Sequence, residues 1–409
     1  MDFCAPPGLL PVADALRLMQ QAVVPIAGTE TVALADTLDR VLVEAIYSPI
    51  NVPGYDNSAM DGYALRADDT AANASLRVIG QSLAGHVFEG SLRQGECVRI
   101  MTGAVIPPGA DAVIMQEQVQ LLDDQIQLTK AINVGENIRR AGEDIHRGSL
   151  VLAQGHRIGP IDVGLLASLG IAQVRVKRLL RVAVLSTGDE LTPLGKPLVA
   201  GSIYDSNRHA LIALLKRMNA EIIDMGLLPD DPAAIEQAFI AATQQADVVI
   251  SSGGVSVGDA DYTKQVLDTL GDIHFWKVAM KPGKPFAFGK LGSGWFFGLP
   301  GNPVSAVVTF HQLVLPTLRI LGGEVFAPAQ TITAISATAL KKQPGRADYQ
   351  RGVLRCEQGV NKVYSTGMQS SGMLSSMAQA NCYILLEQER GAVKEGESVQ
   401  VLPFDQFVN

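Results

Sequence analysis

Apolar and polar positions along this chain follow a helical rhythm in some stretches and a strand rhythm in others. Leu9, Val12, Ala13, Leu16 and Met19 recur at helical spacing over residues 9–23. Residues 37–46 repeat that spacing and predict a second helix. From 47 to 145, short apolar runs at 75–78, 96–101, 112–115 and 126–128 are separated by Gly, Pro and Asp turns. That is the pattern of a small β-rich unit. Residues 146–178 are mixed, with a short helix near 161–168 and a strand at 172–176. This piece has no clear core of its own. It is expected to pack with residues 1–46 into an N-terminal mixed α/β domain, which makes 47–145 an insertion.

The clearest rhythm lies between 179 and 326. Strand signals fall at 181–185, 221–225, 247–250 and 273–278. Between them Leu211, Leu214, Leu215 and Met218 share one helical face, as do Ile235, Ala238, Phe239 and Ala242. Ser206 or Asn207 can cap the first of these helices, and Asp231 with Pro232 opens the second. Strands alternating with helices predict a doubly wound, mostly parallel sheet with right-handed crossovers. Residues 327–409 return to short strands with Gly-rich turns, which predicts a small C-terminal β barrel or sandwich. The fold class is therefore multidomain α/β plus β.

Composition narrows the function. A chain of 409 residues with 47% apolar content can fill several cores. A net charge of −8 argues against broad nucleic-acid binding, which needs a basic surface. Cys4, Cys97, Cys356 and Cys382 are far apart and form no C-x-x-C pair, so buried free thiols in a reducing compartment are expected. No apolar run reads as long enough to span a bilayer, and the first residues lack a basic leader pattern. The chain reads as cytoplasmic, with no membrane partner. The six histidines show no paired metal-ligand spacing, and no G-x-S-x-G elbow appears. No G-x-G-x-x-G follows a strand and no G-x-x-x-x-G-K-S/T occurs, which excludes a dinucleotide-type Rossmann domain and a P-loop.

Candidate chemistry gathers at the carboxyl ends of the predicted parallel strands, where open α/β sheets bind ligands. The first end carries Ser186-Thr187-Gly188-Asp189-Glu190, and the second carries Asp230 and Asp231. The third carries Ser252-Gly253-Gly254, Ser256, Asp259 and Asp261. The fourth leads to Lys277 and to Lys281-Pro282-Gly283-Lys284-Pro285, and Gly298-Leu299-Pro300-Gly301-Asn302-Pro303 follows. Taken singly, each such acid is more often an N-cap or a surface group than a ligand, and Asp231 beside Pro232 especially so. Lysines and bare loop amides receive oxyanions. Carboxylates without histidine or cysteine suit Mg²⁺. Together they suit attack on a phosphoanhydride. Two further polar stretches lie in the β-rich segment, at 52–64 and 99–104, with a charged Gly-bracketed stretch at 135–144.

These stretches, in order, resemble the MoeA family, the molybdopterin molybdenumtransferases, which includes the E domain of gephyrin. The matching words are Pro-Gly-Tyr-Asp-Asn-Ser-Ala-Met-Asp-Gly-Tyr-Ala at 53–64, Met-Thr-Gly-Ala at 101–104, Gly-Glu-Asp at 142–144 and Ser-Thr-Gly-Asp-Glu at 186–190. Ser-Ser-Gly-Gly-Val-Ser-Val-Gly at 251–258, Lys-Pro-Gly-Lys-Pro at 281–285 and Leu-Pro-Gly-Asn-Pro at 299–303 complete the set. The resemblance implies insertion of molybdate into adenylylated molybdopterin, with Mg²⁺ and release of AMP. It implies a homodimer whose cleft is shared between subunits, with molybdopterin adenylyltransferase as a possible partner. It assigns functional roles to Asp61, Thr102, Asp144, Glu190, Lys277 and Lys281. It gives ligand contacts to Arg351 and Ser371, beside Ser252, Gly253, Gly254, Ser256, Lys284 and Pro300 at the strand ends. Asp230 and Asp261 would hold the metal. Two other readings compete: the sister adenylyltransferase, whose loop reads Gly-Gly-Thr-Gly where this chain has Gly253-Gly254-Val255-Ser256, and a non-catalytic scaffold.

Overall fold

The computed structural model describes residues 8–71, 73–253 and 262–405. A six-stranded sheet forms its centre. In spatial order the strands are Glu221–Leu228, Arg181–Thr187, Val248–Ser252, Gly294–Leu299, Pro285–Leu291 and Gly271–Lys277. The first four run parallel, and Pro285–Leu291 is antiparallel to both of its neighbours. The parallel strands are apolar on both faces, as a sheet covered on both sides requires. On one face Val182, Val184, Val248, Ile250 and Phe297 pack against Leu211, Leu215 and the long C-terminal helical run. On the other, Ala183, Leu185, Val249 and Phe296 meet Ile235, Phe239 and Leu267.

Both expected helices of this layer form, as Asn207–Arg217 and Pro232–Gln245. The Asp231 carboxylate caps the second by accepting from the Ala234 amide. The first is capped otherwise than its sequence predicts. Ser206 precedes it without a side-chain cap, and the buried Asp205 carboxylate accepts from the Arg208 amide instead.

The helical run Pro303–Leu321, with one π turn at Phe310–Val314, is long and apolar enough to cross a membrane by length and composition. This amends the expectation that no such run exists. Its 78% burial inside the molecule makes it a core helix.

The Val12–Ala22 helix buries Ala15 and Met19 in the same core as Leu313 and Leu318. Residues 37–46 do not form the expected helix. A single 3-10 turn at Leu34–Asp36 leads through a second turn, with Asp39 at φ +62°, to isolated bridges, in which Leu42 pairs with Val176. Burial of Leu42 among Val174, Val176 and Ile158 overrides the helical period. Strand Thr29–Ala33 pairs antiparallel with Gln173–Lys177. The polar-rich segment between them builds a separate six-stranded sheet from strands of residues 62–128. Near the C-terminus, strands Ala347–Glu357, Val360–Ser365, Ile332–Ser336, Ser398–Pro403 and Cys382–Leu386 close into a five-stranded barrel. Cys97 and Cys382 are buried and burial pushes each thiol up to about 12, whereas Cys356 is exposed. Cys4 lies outside the described residues.

Candidate active site

A cleft of about 1030 Å³ lies where the carboxyl ends of the parallel strands face the barrel. The seam between the two is covalently short. Residues 278–284 fold back on themselves as the Val278 amide donates to the Lys284 carbonyl at 2.8 Å. Within that loop Met280–Lys281 pairs in parallel with Ala347 and Asp348 of the barrel. The lysine loop thus belongs to both walls.

Each strand end contributes to the lining. Thr187, Gly188 and Glu190 follow the first strand, Asp230 the second, Gly253 the third, and Pro300, Gly301 and Asn302 the fourth. Gly253 has φ +92°, and a Cβ there would sit 2.7 Å from the Thr187 carbonyl oxygen. Only glycine fits that approach. Gly188 makes room for the Glu190 carboxylate, whose Oε2 lies 2.5 Å from where a Cβ would be. Asp189 supports its neighbour end by accepting from the Asp230 amide at 3.1 Å.

Cations face these carboxylates. Lys281, Lys284 and Arg346 all line the cleft. The Lys281 ammonium lies 3.3 Å from the Asp348 carboxylate, which is 2% exposed and also accepts from Gln350 Nε2 at 3.1 Å. Lys281 and Arg346 also line an adjoining cavity of about 270 Å³ with Lys341 and Lys342. Lys342 spends its ammonium on the carbonyls of Gln343, Gln388 and Arg390, and burial lowers its pKa.

Of the residues singled out from the sequence, Glu190, Asp230, Gly253, Lys281, Lys284, Pro300 and Ser371 meet in this cleft. Ser252 lies buried just behind it, its hydroxyl accepting from Asn207 Nδ2 at 2.8 Å. Lys277 ends the edge strand with an exposed side chain and is not part of the lining, and its carbonyl accepts from the Leu10 amide. Gly254, Ser256, Asp259 and Asp261 lie outside the described residues.

Arg351 is fully buried and behind the wall rather than in it. Its Nε donates to Ser376 Oγ at 3.0 Å and its Nη2 to the Ser370 carbonyl at 2.9 Å. Its backbone amide donates to Gln369 Oε1, and its carbonyl accepts from the Thr366 amide and Gln369 Nε2. The Ser371 carbonyl in turn accepts from the Val304 amide at the start of the long helix. Arg351 therefore shapes the loop that carries Gln369, Ser370 and Ser371 into the cleft. Burial depresses its pKa.

Asp61, Thr102 and Asp144 do not line the cleft of this chain. All three belong to residues 47–145, and two of them touch. Asp61 Oδ1 accepts from both the amide and the hydroxyl of Thr102 at 2.8 Å. Those bonds, with the Arg99 charge, hold its carboxyl below the usual range. Asn57–Ser58 pairs with Ile138–Arg139, and Asp56 accepts from Arg140 Nη1 and the Ala141 amide, which draws the 135–144 stretch in beside it. The Asp144 amide donates to the Val52 carbonyl.

Sequence reasoning missed Ile203, Tyr262, Thr263 and Ser305 in the lining. Thr263 and Ser305 stand in the first turns of helices that leave the cleft, and that position was the available signal.

A mostly parallel sheet with cations and carboxylates lining a cleft at its carboxyl ends, walled by a small barrel, defines a multidomain α/β protein with a charged cleft. Residues 10–170 match the MoeA N-terminal region (domain I and II), 183–320 a probable molybdopterin binding domain, and 333–404 the MoeA C-terminal region (domain IV). The chain is 52% identical to a molybdopterin molybdenumtransferase of Haemophilus influenzae, covering 93% of this chain and 95% of that one. It is 32% identical to gephyrin of Dictyostelium discoideum, covering 96% of this chain and 62% of that one. A crystal structure of the molybdopterin biosynthesis moeA protein from Pyrococcus horikoshii superposes with a TM-score of 0.85 at 31% identity, covering 97% of this chain and 100% of that one. The chain belongs to the MoeA family of transferases.

Proposed function

We propose that the chain is a molybdopterin molybdenumtransferase that inserts molybdate into adenylylated molybdopterin and releases AMP. One observation carries this reading: Lys281, Lys284 and Arg346 line a single cleft together with Glu190 and Asp230. A tetrahedral dianion wants cationic donors, and the barrel side and lysine loop supply them. The backbone amides around Gly301, in the cleft lining, suit the pyrophosphate. The pterin supplies the sulfurs that take up the metal, so the absence of a cysteine cluster among the described residues is compatible with the reaction.

Magnesium fits the donor set. It takes one or two carboxylates and completes its shell with substrate oxygens and water, and Glu190 and Asp230 present two carboxylates with no histidine beside them in the lining. Asp230, with Asp261 beyond the described residues, would hold it, and it would neutralise charge on the pyrophosphate oxygens. Glu190 stands over Gly188 at the end of the first strand, where it would face the bound substrate. Asp61, Thr102 and Asp144 would reach the ligand from a second copy of the chain, in a homodimer with a shared cleft. A molybdopterin adenylyltransferase would supply the substrate.

The deciding experiment follows AMP release from adenylylated molybdopterin while magnesium and molybdate are varied in turn. Molybdate-stimulated release, with a product that reactivates a molybdenum-free apoenzyme, is expected. Tight binding without turnover would favour a scaffold and overturn the catalytic reading.

A further inference from the structure

The turn that starts the Asn207–Arg217 helix touches all four parallel strands. Asp205 is 2% exposed and accepts from Ser186 Oγ of the first strand at 3.2 Å. Arg208 donates from Nε to Asp205 at 2.8 Å and from Nη1 to both oxygens of Asp224, on the second strand. Asn207 Nδ2 donates twice. One bond goes to Ser252 Oγ at the end of the third strand, and the other to the Gly301 carbonyl just beyond the fourth, each at 2.8 Å.

The two Asn207 bonds fall where the sheet's own ladder stops. The last pair in register between the third and fourth strands is Ser252 with Leu299. The Gly253 amide still donates to the Leu299 carbonyl at 3.1 Å. Past that point the chains lead into Gly253 on one side and Pro300-Gly301-Asn302 on the other, and both line the cleft. A carbonyl oxygen can only accept, so the group facing Gly301 must be the amide nitrogen. Its two hydrogens match its two partners. Asn207 itself is half-buried and outside the lining.

We propose that Asn207 is a positioning residue of the cleft: its carboxamide fixes the spacing between the Ser252–Gly253 loop and the 300–302 loop, and so the placement of the Gly301 and Asn302 amides offered to the phosphate groups of the substrate. The turnover part of this inference rests on the function proposed above. The chemistry gives an unusual order of severity. Asn207→Ala removes the cross-link and leaves the Gly301 carbonyl for water to solvate. Asn207→Asp keeps the shape but sets a carboxylate oxygen against that carbonyl, so the isosteric change is the more damaging one.

The test measures AMP release by the full-length protein, varying the concentration of adenylylated molybdopterin, for wild type, Asn207→Ala, Asn207→Asp, Ser252→Ala and the Asn207→Ala/Ser252→Ala pair. Circular dichroism and the thermal midpoint check folding. The expected result is a KM raised about tenfold in Asn207→Ala, as for loss of one or two such bonds, with a larger rise in Asn207→Asp. Ser252→Ala should give a smaller rise, and the double variant should be no worse than Asn207→Ala. Asn207→Asp matching wild type, or additive losses in the double variant, would overturn the inference. Ser252→Ala keeps the test decisive if the Asn207 variants do not fold, because an unchanged KM there removes the cross-link from the site. If wild type itself releases no AMP, the proposed function fails rather than the positioning role.

Discussion

Arg351 illustrates how a residue can serve a binding site without touching it. Its guanidinium reaches Ser376 and the Ser370 carbonyl from behind the loop. Arg351→Ala should therefore lower stability, since each buried partner left unsatisfied costs roughly 1–3 kcal/mol. Activity should fall with it as the Ser370–Ser371 loop loses its anchor. Urea unfolding and kcat/KM on the same sample check this, and Arg351→Lys, which can restore one bond, should recover only part of both. Gly253→Ala is expected to be worse than its size suggests, because φ +92° and the Thr187 carbonyl leave no place for a methyl group. Its AMP release and thermal midpoint should both drop. The residue types of the cleft were legible from the sequence, since Glu190, Asp230, Lys281 and Lys284 follow recognisable strand ends. The side of the wall on which Arg351 stands was not. That depends on the register of strand Ala347–Glu357 within a closed barrel, and local pattern carries no such information.

Among the elements, the central strands owe their alignment to a charged pair at their opposite ends. Asp247 accepts two bonds from Arg178, at 2.6 and 2.7 Å, and a third from the Arg181 amide. Burial pushes its carboxyl pKa up, but the Arg178 bonds, the Arg181 amide and the charges of both arginines together outweigh burial and hold it below the usual value. A carboxyl depressed in the folded state stabilises the fold above its unfolded pKa and loses that contribution as pH falls through the folded one. Asp247→Asn should thus cost roughly 2 kcal/mol near neutrality, and the gap to wild type should close as pH drops below about 4. Urea midpoints across that range measure it. The strands that Asp247 aligns were readable because continuous β-branched runs between helical periods admit few other folds. The stretch at 37–46 misled because its apolar spacing fits either a helix or an irregular strand, and the partner that decides, Val176, lies far along the chain.

For the molecule as a whole, the separation of Asp61 and Thr102 from the cleft of their own chain makes a shared site testable by mixing. Lys281→Ala and Asp61→Asn should each be inactive alone. Exchanged at equal ratio, they should recover up to about a quarter of wild-type activity, because half the dimers then carry one undamaged cleft. No recovery despite subunit exchange, monitored by light scattering or native mass spectrometry, would place both residues in one chain's site. The fold class was legible from pattern alone, but strands Pro285–Leu291 and Gly294–Leu299 were not, and the second of these takes the fourth parallel place that 273–278 was expected to fill. The direction in which the inserted sheet faces was not legible either, because nothing local encodes how one unit is aimed at another.

The parallel pairing of Met280–Lys281 with Ala347–Asp348 has a kinetic consequence. For the groove to gape like a jaw that pairing would have to break, since the lysine that lines it is also stitched into the opposite wall. Turnover limited by release should respond to the bulk of the ligand's nucleotide end, and stay indifferent to solvent viscosity beyond what diffusion alone imposes.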